Sequence, residues 1–143
     1  MVNINIKTIH ENAVIPEYKT SGSSGMDLSS VIEHTLKPKE IKAIPTGLIM
    51  RIPPGLEGQV RPRSGLALKY GITVLNTPGT IDSDYVGEMK VILINHSNED
   101  YIIKVGDRIA QLVICPVVQV DLHKVEDISQ TERGAGGFGS TGV

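Results

Sequence analysis

The sequence predicts an all-β fold, a sandwich, jelly roll or barrel of short strands, on three observations. Aromatic residues are 3 % of the 143, with no Trp and one Phe. A core without them must rest on Val, Ile and Leu, which suit pleated, half-buried strands. Apolar and polar residues alternate in several short runs, and turn formers separate those runs at short intervals. The length suits one domain with a core and is too short for two.

Val2, Ile4 and Ile6 alternate with polar residues and read as a first strand. Ile41 to Ile44 is a second β-type run, and Leu48, Met50 and Ile52 alternate again before the turn Pro53-Pro54-Gly55. The one convincing helical stretch is short, Gly65 to Tyr70, with Ser64 in position to cap it. Met89 to Ile94, Tyr101 to Val105 and Ile109 to Val120 are further strands, punctuated by His96-Ser97-Asn98 and Gly106-Asp107. The last segment, 133–143, is glycine-rich and has too little apolar surface to offset its ordering entropy. It is expected to be a mobile tail; extended, it reaches about 35 Å, enough to cross onto a neighbouring subunit. The lone Phe, Phe138, lies between glycines in this tail, where no core can take it. No repeat or linker interrupts the domain over 1–132.

A formal charge of -2 without like-charge runs gives no footprint for nucleic acid or an anionic membrane. No apolar stretch approaches the roughly 18 residues of a membrane span. Cys115 is a single cysteine, and the N-terminus lacks the basic and apolar regions of a signal peptide. These features lead us to expect a soluble protein of a reducing, cytoplasmic compartment.

Four loop segments carry chemistry, and each has a plain alternative as turn structure. In Ser23-Ser24-Gly25-Met26-Asp27-Leu28, Asp27 is either an Asx-type turn residue or a metal contact. In Arg61-Pro62-Arg63-Ser64-Gly65-Leu66-Ala67, a guanidinium and a helix start make an anion site, or simply a cap beside a solvated Arg. The stretch from Asn76 to Glu88 holds three carboxylates, Asp82, Asp84 and Glu88. One of them can serve as a base, and the alternative is an ordinary hairpin loop. The tail's backbone N–H groups, with Arg133, Ser140 and Thr141, could wrap a phosphate; no P-loop Lys is present. Together these pieces suit a nucleotide with several phosphates, with Mg²⁺ held through water by Asp27 and Phe138 offering a face to a base. Which base, which sugar and which bond remain open at this point.

The same segments resemble, in order, the five motifs of trimeric deoxyuridine triphosphate nucleotidohydrolases (dUTPases). Ser24-Gly25-Met26-Asp27-Leu28 is similar to the first, Pro62-Arg63-Ser64-Gly65-Leu66-Ala67 to the second, and the stretch Gly79 to Gly87 to the third. Gly106-Asp107-Arg108-Ile109-Ala110-Gln111-Leu112 resembles the fourth, and Arg133 to Gly142 the fifth. The resemblance spans nearly the whole chain. It implies a jelly-roll-like subunit and a homotrimer whose three active sites each draw motifs from all three chains. It implies that Asp82 orients and deprotonates the water attacking the α-phosphorus, and that Asp27 positions water ligands of Mg²⁺ on the triphosphate. Arg63, Ser64, Gly65 and Gln111 would contact the phosphate chain, and Arg133, Gly139, Ser140 and Thr141 its γ end. Asn76 with Gly79, Thr80 and Ile81 would pair with the uracil edge, Tyr85 would lie under the deoxyribose, Lys90 would be a further substrate contact, and Phe138 would stack on uracil as the tail closes.

Met26 stands where many relatives carry an aromatic and Ser24 where alanine is frequent, which bears on packing beside Asp27. The related dCTP deaminases carry a catalytic glutamate on the strand after the third motif, where this chain has Ile92, and they lack the Phe-Gly-Ser-Thr tail. A dUTP sensor without turnover, or a purely structural jelly-roll protein, would have no need to keep both Asp82 and Arg133. The implied role is to limit uracil in DNA and to supply dUMP for thymidylate synthesis.

Overall fold

Strands too short to stand alone are joined here into four antiparallel ladders. The computed structural model describes residues 2–140 and 142. The largest ladder has the order β2 (Met26–Ser29), β11 (Arg108–Pro116), β6 (Leu56–Arg61), β8 (Gly79–Ile81). A second has β4 (Ile41–Pro45), β9 (Lys90–Asn95) and β7 (Ile72–Val74). Two pairs complete the set: β1 (Asn5–Thr8) with β5 (Leu48–Arg51), and β3 (His34–Leu36) with β10 (Tyr101–Ile103). The one helix among the described residues, α1 (Ser64–Tyr70), connects β6 to β7. This is the sandwich form of the expected all-β architecture.

Strand β9 shows how the sequence builds it. Val91, Leu93 and Asn95 are buried, while Lys90, Ile92 and Ile94 turn the other way, the period of two that a strand imposes. Val91 and Leu93 join Leu28, Leu36, Ile44, Leu48, Ile52, Ile72, Ile103, Ile109 and Leu112 in one core. Each fully buried Leu or Ile contributes about 1.5–3 kcal/mol. A half-exposed ion pair such as Lys90–Glu88, 3.7 Å apart, contributes on the order of 1 kcal/mol. The apolar seam therefore holds the molecule. Gly58 serves that packing: a Cβ there would lie 3.0 Å from both Ile52 Cδ1 and Leu112 Cδ1.

Buried polar groups close the turns. Asn95, fully buried, donates through Nδ2 to the carbonyls of Leu36 at 2.9 Å and Glu99 at 2.8 Å, and accepts from the Ser97 N–H. Thr46 Oγ1 donates to the Met89 carbonyl at 2.6 Å. Among the described residues no buried side-chain N or O lacks a partner, as a native interior requires.

The structure corrects the local reading in five places, one of them the run from Tyr101 to Val105, which is strand only to Ile103, where its pairing with β3 ends at His34. The first strand starts at Asn5 and not at Val2, because it lasts only where β5 supplies partners, Asn5 opposite Arg51 to Thr8 opposite Leu48. The strand expected to run to Val120 stops at Pro116, where the ladder to β6 ends at Leu56; beyond it Val118, Val120 and Leu122 are exposed. Ser64 is the first helical residue and not the cap; the cap position is Arg63, which makes no side-chain capping bond. The hairpin expected over the third segment does not form: β8 pairs with β6 and β9 with β4 and β7, so the chain changes sheets between them.

Candidate active site

That change of sheet opens a cavity of about 460 Å³ between the two larger ladders. Val60 and Gly79, opposite each other across β6 and β8, line one side, and Ala43 and Ile92, opposite each other across β4 and β9, line the other. Asn76, Thr80, Ile81, Asp82, Tyr85, Glu88 and Lys90 complete the wall. Seven residues that the sequence suggested as base, sugar or catalytic contacts are thus brought together. Gly79 fits closely here: a Cβ would lie 3.3 Å from both Asn76 Nδ2 and Val60 Cβ, tighter than ordinary contact. The chain turns directly after β8, with the Tyr85 N–H donating to the Asp82 carbonyl at 3.1 Å. The Tyr85 hydroxyl then donates to the Glu88 carbonyl at 2.9 Å, which fixes the ring across the opening. Asp82 is exposed at the mouth and also borders an acidic hollow with Glu57 and Asp84.

A second group forms where β2 lies beside β11. Asp27 is opposite Gln111 in that ladder, so it sits on a strand and not in the Asx turn that Gly25 suggested. Its carboxylate, 14 % exposed, accepts from Arg63 Nε at 3.2 Å and from Arg108 Nη1 at 3.1 Å. Arg63 also donates through Nη1 to the Arg108 carbonyl at 3.1 Å, so one guanidinium bridges two strands. Gln111 packs close to the turn before β2: a Cβ on Gly25 would lie 3.3 Å from Gln111 Oε1. Ser64 and Gly65 are exposed beside Arg63. The Tyr101 hydroxyl is held above its ordinary pKa by burial, then by Asp107 and Tyr70, with Arg63 pulling the other way. The result is two cations on one carboxylate, a net positive edge suited to phosphate.

Among the described residues no three His, Cys, Asp or Glu side chains group as a metal cage. Asp27 has one guanidinium on each oxygen, and a carboxylate has about four lone-pair positions. It can therefore still accept from water. This donor set fits a hard cation that keeps its water and takes other ligands from phosphate, as Mg²⁺ does; it does not fit an ion held by protein alone.

The tail makes a third group. Arg133 Nε donates to the Gly136 carbonyl at 2.7 Å, and the Ser140 N–H donates to the Gly137 carbonyl at 3.0 Å. Phe138 is fully exposed, and Gly139 and Ser140 are exposed beside it. Thr141 lies outside the described residues. None of the described tail residues lines the cavity at Asp82 or the hollow at Asp27. The cavity and the hollow at Asp27 share no lining residue.

Two residues at these places were missed in the sequence. Arg108 was visible within Gly106-Asp107-Arg108, but only the ladder with β2 brings it to Asp27. Glu88 was seen as one carboxylate among three, and only the sheet change shows that it lines the cavity.

Residues 11–142 match the family model described as dUTPase. The chain belongs to the dUTPase family. A deoxyuridine 5'-triphosphate nucleotidohydrolase of Nautilia profundicola is 60 % identical over 141 residues, 99 % of each chain. That of Treponema denticola is 61 % identical over 137 residues, 94 % of this chain and 95 % of that one. Among solved structures, a Staphylococcus bacteriophage 80alpha dUTPase variant with dUpNHpp superposes with a TM-score of 0.89 at 29 % identity, covering 100 % of both chains. A dUTPase variant from S. aureus phage phi11, in which a structural Mg(II) ion is coordinated, gives 0.84 at 26 % identity over 90 % of this chain and 100 % of that one. The dUTPase resemblance of the five segments is therefore matched over the full length of the fold. No helix among the described residues is long and apolar enough to cross a membrane.

Proposed function

We propose that this enzyme hydrolyses dUTP to dUMP and pyrophosphate, and the observation that carries the reading is the cavity with Asp82 at its mouth. Its size is within the roughly 300–1,000 Å³ of small-molecule sites. Backbone groups of Gly79 to Ile81 and the Asn76 amide pair with the uracil edge, and a base with other donors would leave buried groups unpaired. Tyr85 lies against the deoxyribose and excludes a 2′-hydroxyl, and Lys90 contacts the substrate from β9. Ile92, at the position where the related dCTP deaminases carry their catalytic glutamate, lines the cavity wall; an alkyl chain cannot move a proton from that position, which argues against deamination of dCTP.

In the reaction, the Asp82 carboxylate accepts a proton from water as the water oxygen bonds to the α-phosphorus. The bond from that phosphorus to the bridging oxygen breaks, and pyrophosphate leaves in line. Arg63, Ser64, Gly65 and Gln111 hold the phosphate chain, and Arg133, Gly139, Ser140 and Thr141 hold its γ end. When bound, Mg²⁺ neutralises charge on the phosphates, and Asp27 would hold its water ligands. Phe138 stacks on uracil as the tail closes.

In this reading the site takes its parts from different subunits of a homotrimer, which agrees with the cavity, the hollow at Asp27 and the described tail sharing no residue. Residues 1–132 form the domain and 133–143 the lid over a neighbour's site. In a cytoplasmic setting, which the free thiol of Cys115 suits, the reaction keeps dUTP low and supplies dUMP.

Pyrophosphate release from dUTP, dCTP, dTTP and UTP, each with Mg²⁺ and with chelator, tests this. Release from dUTP alone, lost with chelator, is expected. Tight dUTP binding without turnover would instead mean a sensor, and ammonia from dCTP a deaminase.

A further inference from the structure

Of the three carboxylates in the third segment, Asp82 is at the mouth of the cavity, Asp84 faces the acidic hollow, and Glu88 is set into the cavity wall. Glu88 makes three contacts at once. Its Oε1 accepts the Gly47 N–H at 3.0 Å, its Oε2 is 3.7 Å from Lys90 Nζ, and its main-chain carbonyl accepts the Tyr85 hydroxyl at 2.9 Å. Gly47 is a fixed anchor. Its φ is +68°, and a Cβ there would lie 2.7 Å from His10 Cβ, so the turn between β4 and β5 is one that glycine makes. The neighbouring Met89 is buried, and its N–H donates to the Leu48 carbonyl at 2.8 Å. The side chain and the main chain of this short stretch are thus tied to the same turn.

The Tyr85 ring is oriented only as well as the carbonyl that its hydroxyl grips. That carbonyl belongs to the residue whose own side chain is tied to Gly47. Resting on the reading of the cavity as the deoxynucleotide site, we propose that Glu88 is a positioning residue for sugar discrimination: anchored on Gly47, it sets the Tyr85 ring and holds the Lys90 ammonium at the wall. If the side-chain tie is cut, that peptide plane is held only by the Met89 N–H bond to the Leu48 carbonyl, the ring is held less firmly, and room opens for a 2′-hydroxyl.

The test is steady-state kinetics of Glu88→Ala and Glu88→Gln with dUTP and UTP, together with melting temperatures. For Glu88→Ala we expect KM for dUTP to rise and the preference for dUTP over UTP in kcat/KM to narrow, each by about tenfold, the scale of one lost polar contact. Its kcat should change by less than about threefold, because the reacting atoms are not touched. Glu88→Gln keeps an oxygen for Gly47 and should restore most of the sugar preference. A preference within about twofold of the parent in Glu88→Ala, with only the melting temperature lowered, would reduce Glu88 to a structural tie and overturn the proposal. Should Glu88→Ala not fold, Tyr85→Phe removes only the hydroxyl bond to the Glu88 carbonyl. It must narrow the same preference, and an unchanged preference would overturn the proposal equally. If the parent enzyme turns over no dUTP, the functional reading fails first, and the ratio of dUTP to UTP dissociation constants in the same variants decides the role of Glu88.

Discussion

Asp82→Asn is expected to lower kcat for dUTP by about 10²–10⁴-fold, the range that a positioned general base supplies, while the dissociation constant for dUTP stays within a few-fold of the parent. The substitution keeps the shape of the side chain and its place after β8 and removes only the ability to take a proton from water. Nothing in the core depends on this carboxylate, because Asp82 is exposed at the mouth of the cavity, so stability should be unchanged. Asp84 is two residues away in the same turn but faces the hollow beside Glu57. Asp84→Asn is therefore the matching control and should retain turnover. Single-turnover kinetics with dUTP and equilibrium binding would measure both effects. Unchanged turnover in Asp82→Asn would remove it from the base role.

Deleting the chain from Arg133 onward should leave a folded trimer with the parent melting temperature and with kcat/KM reduced by about 10²-fold or more, a loss on the scale of misplaced or unheld reacting groups. Phe138 is fully exposed, and the bonds of Arg133 and Ser140 stay within the tail. The tail therefore adds almost no buried apolar area to the domain. In the proposed reaction its role is to close over a bound triphosphate, with Phe138 covering the base, Arg133 meeting the γ end and bulk water excluded. Circular dichroism, size exclusion and dUTP turnover on one preparation separate these effects. A truncated protein that no longer folds would mean that the segment is structural and not a lid.

Much of this was legible in the sequence, and the parts that were not have physical reasons. The run at Leu48 was readable as a strand because Leu48, Met50 and Ile52 are buried on one face, which writes a period of two into the residues. Ile41 to Ile44 and Met89 to Ile94 were readable only as β-type runs, and in β4 only Ile44 is buried. Strands β3, β7, β8 and β10 have three residues each, too few to show a period; of these only β10 was found, from its apolar run. Asp27 looked like a turn residue because Gly25 precedes it; only pairing with Gln111 draws it into β2. The apolar residues from Val117 to Val120 suggested more strand than one chain can partner. The chemistry was more legible than the geometry, since the identities of Arg63, Asp82 and Arg133 are local facts. The double guanidinium grip on Asp27 and the anchoring of Glu88 on Gly47 depend on contacts between residues far apart in the chain, which no local pattern records.

The most direct test of the account is turnover of dUTP in ¹⁸O-labelled water, with both products weighed by mass spectrometry. Attack by an Asp82-activated water on the α-phosphorus predicts one labelled oxygen in dUMP and none in pyrophosphate. Label in pyrophosphate would place the attack on the β-phosphorus and contradict the arrangement of base and phosphates proposed for this site.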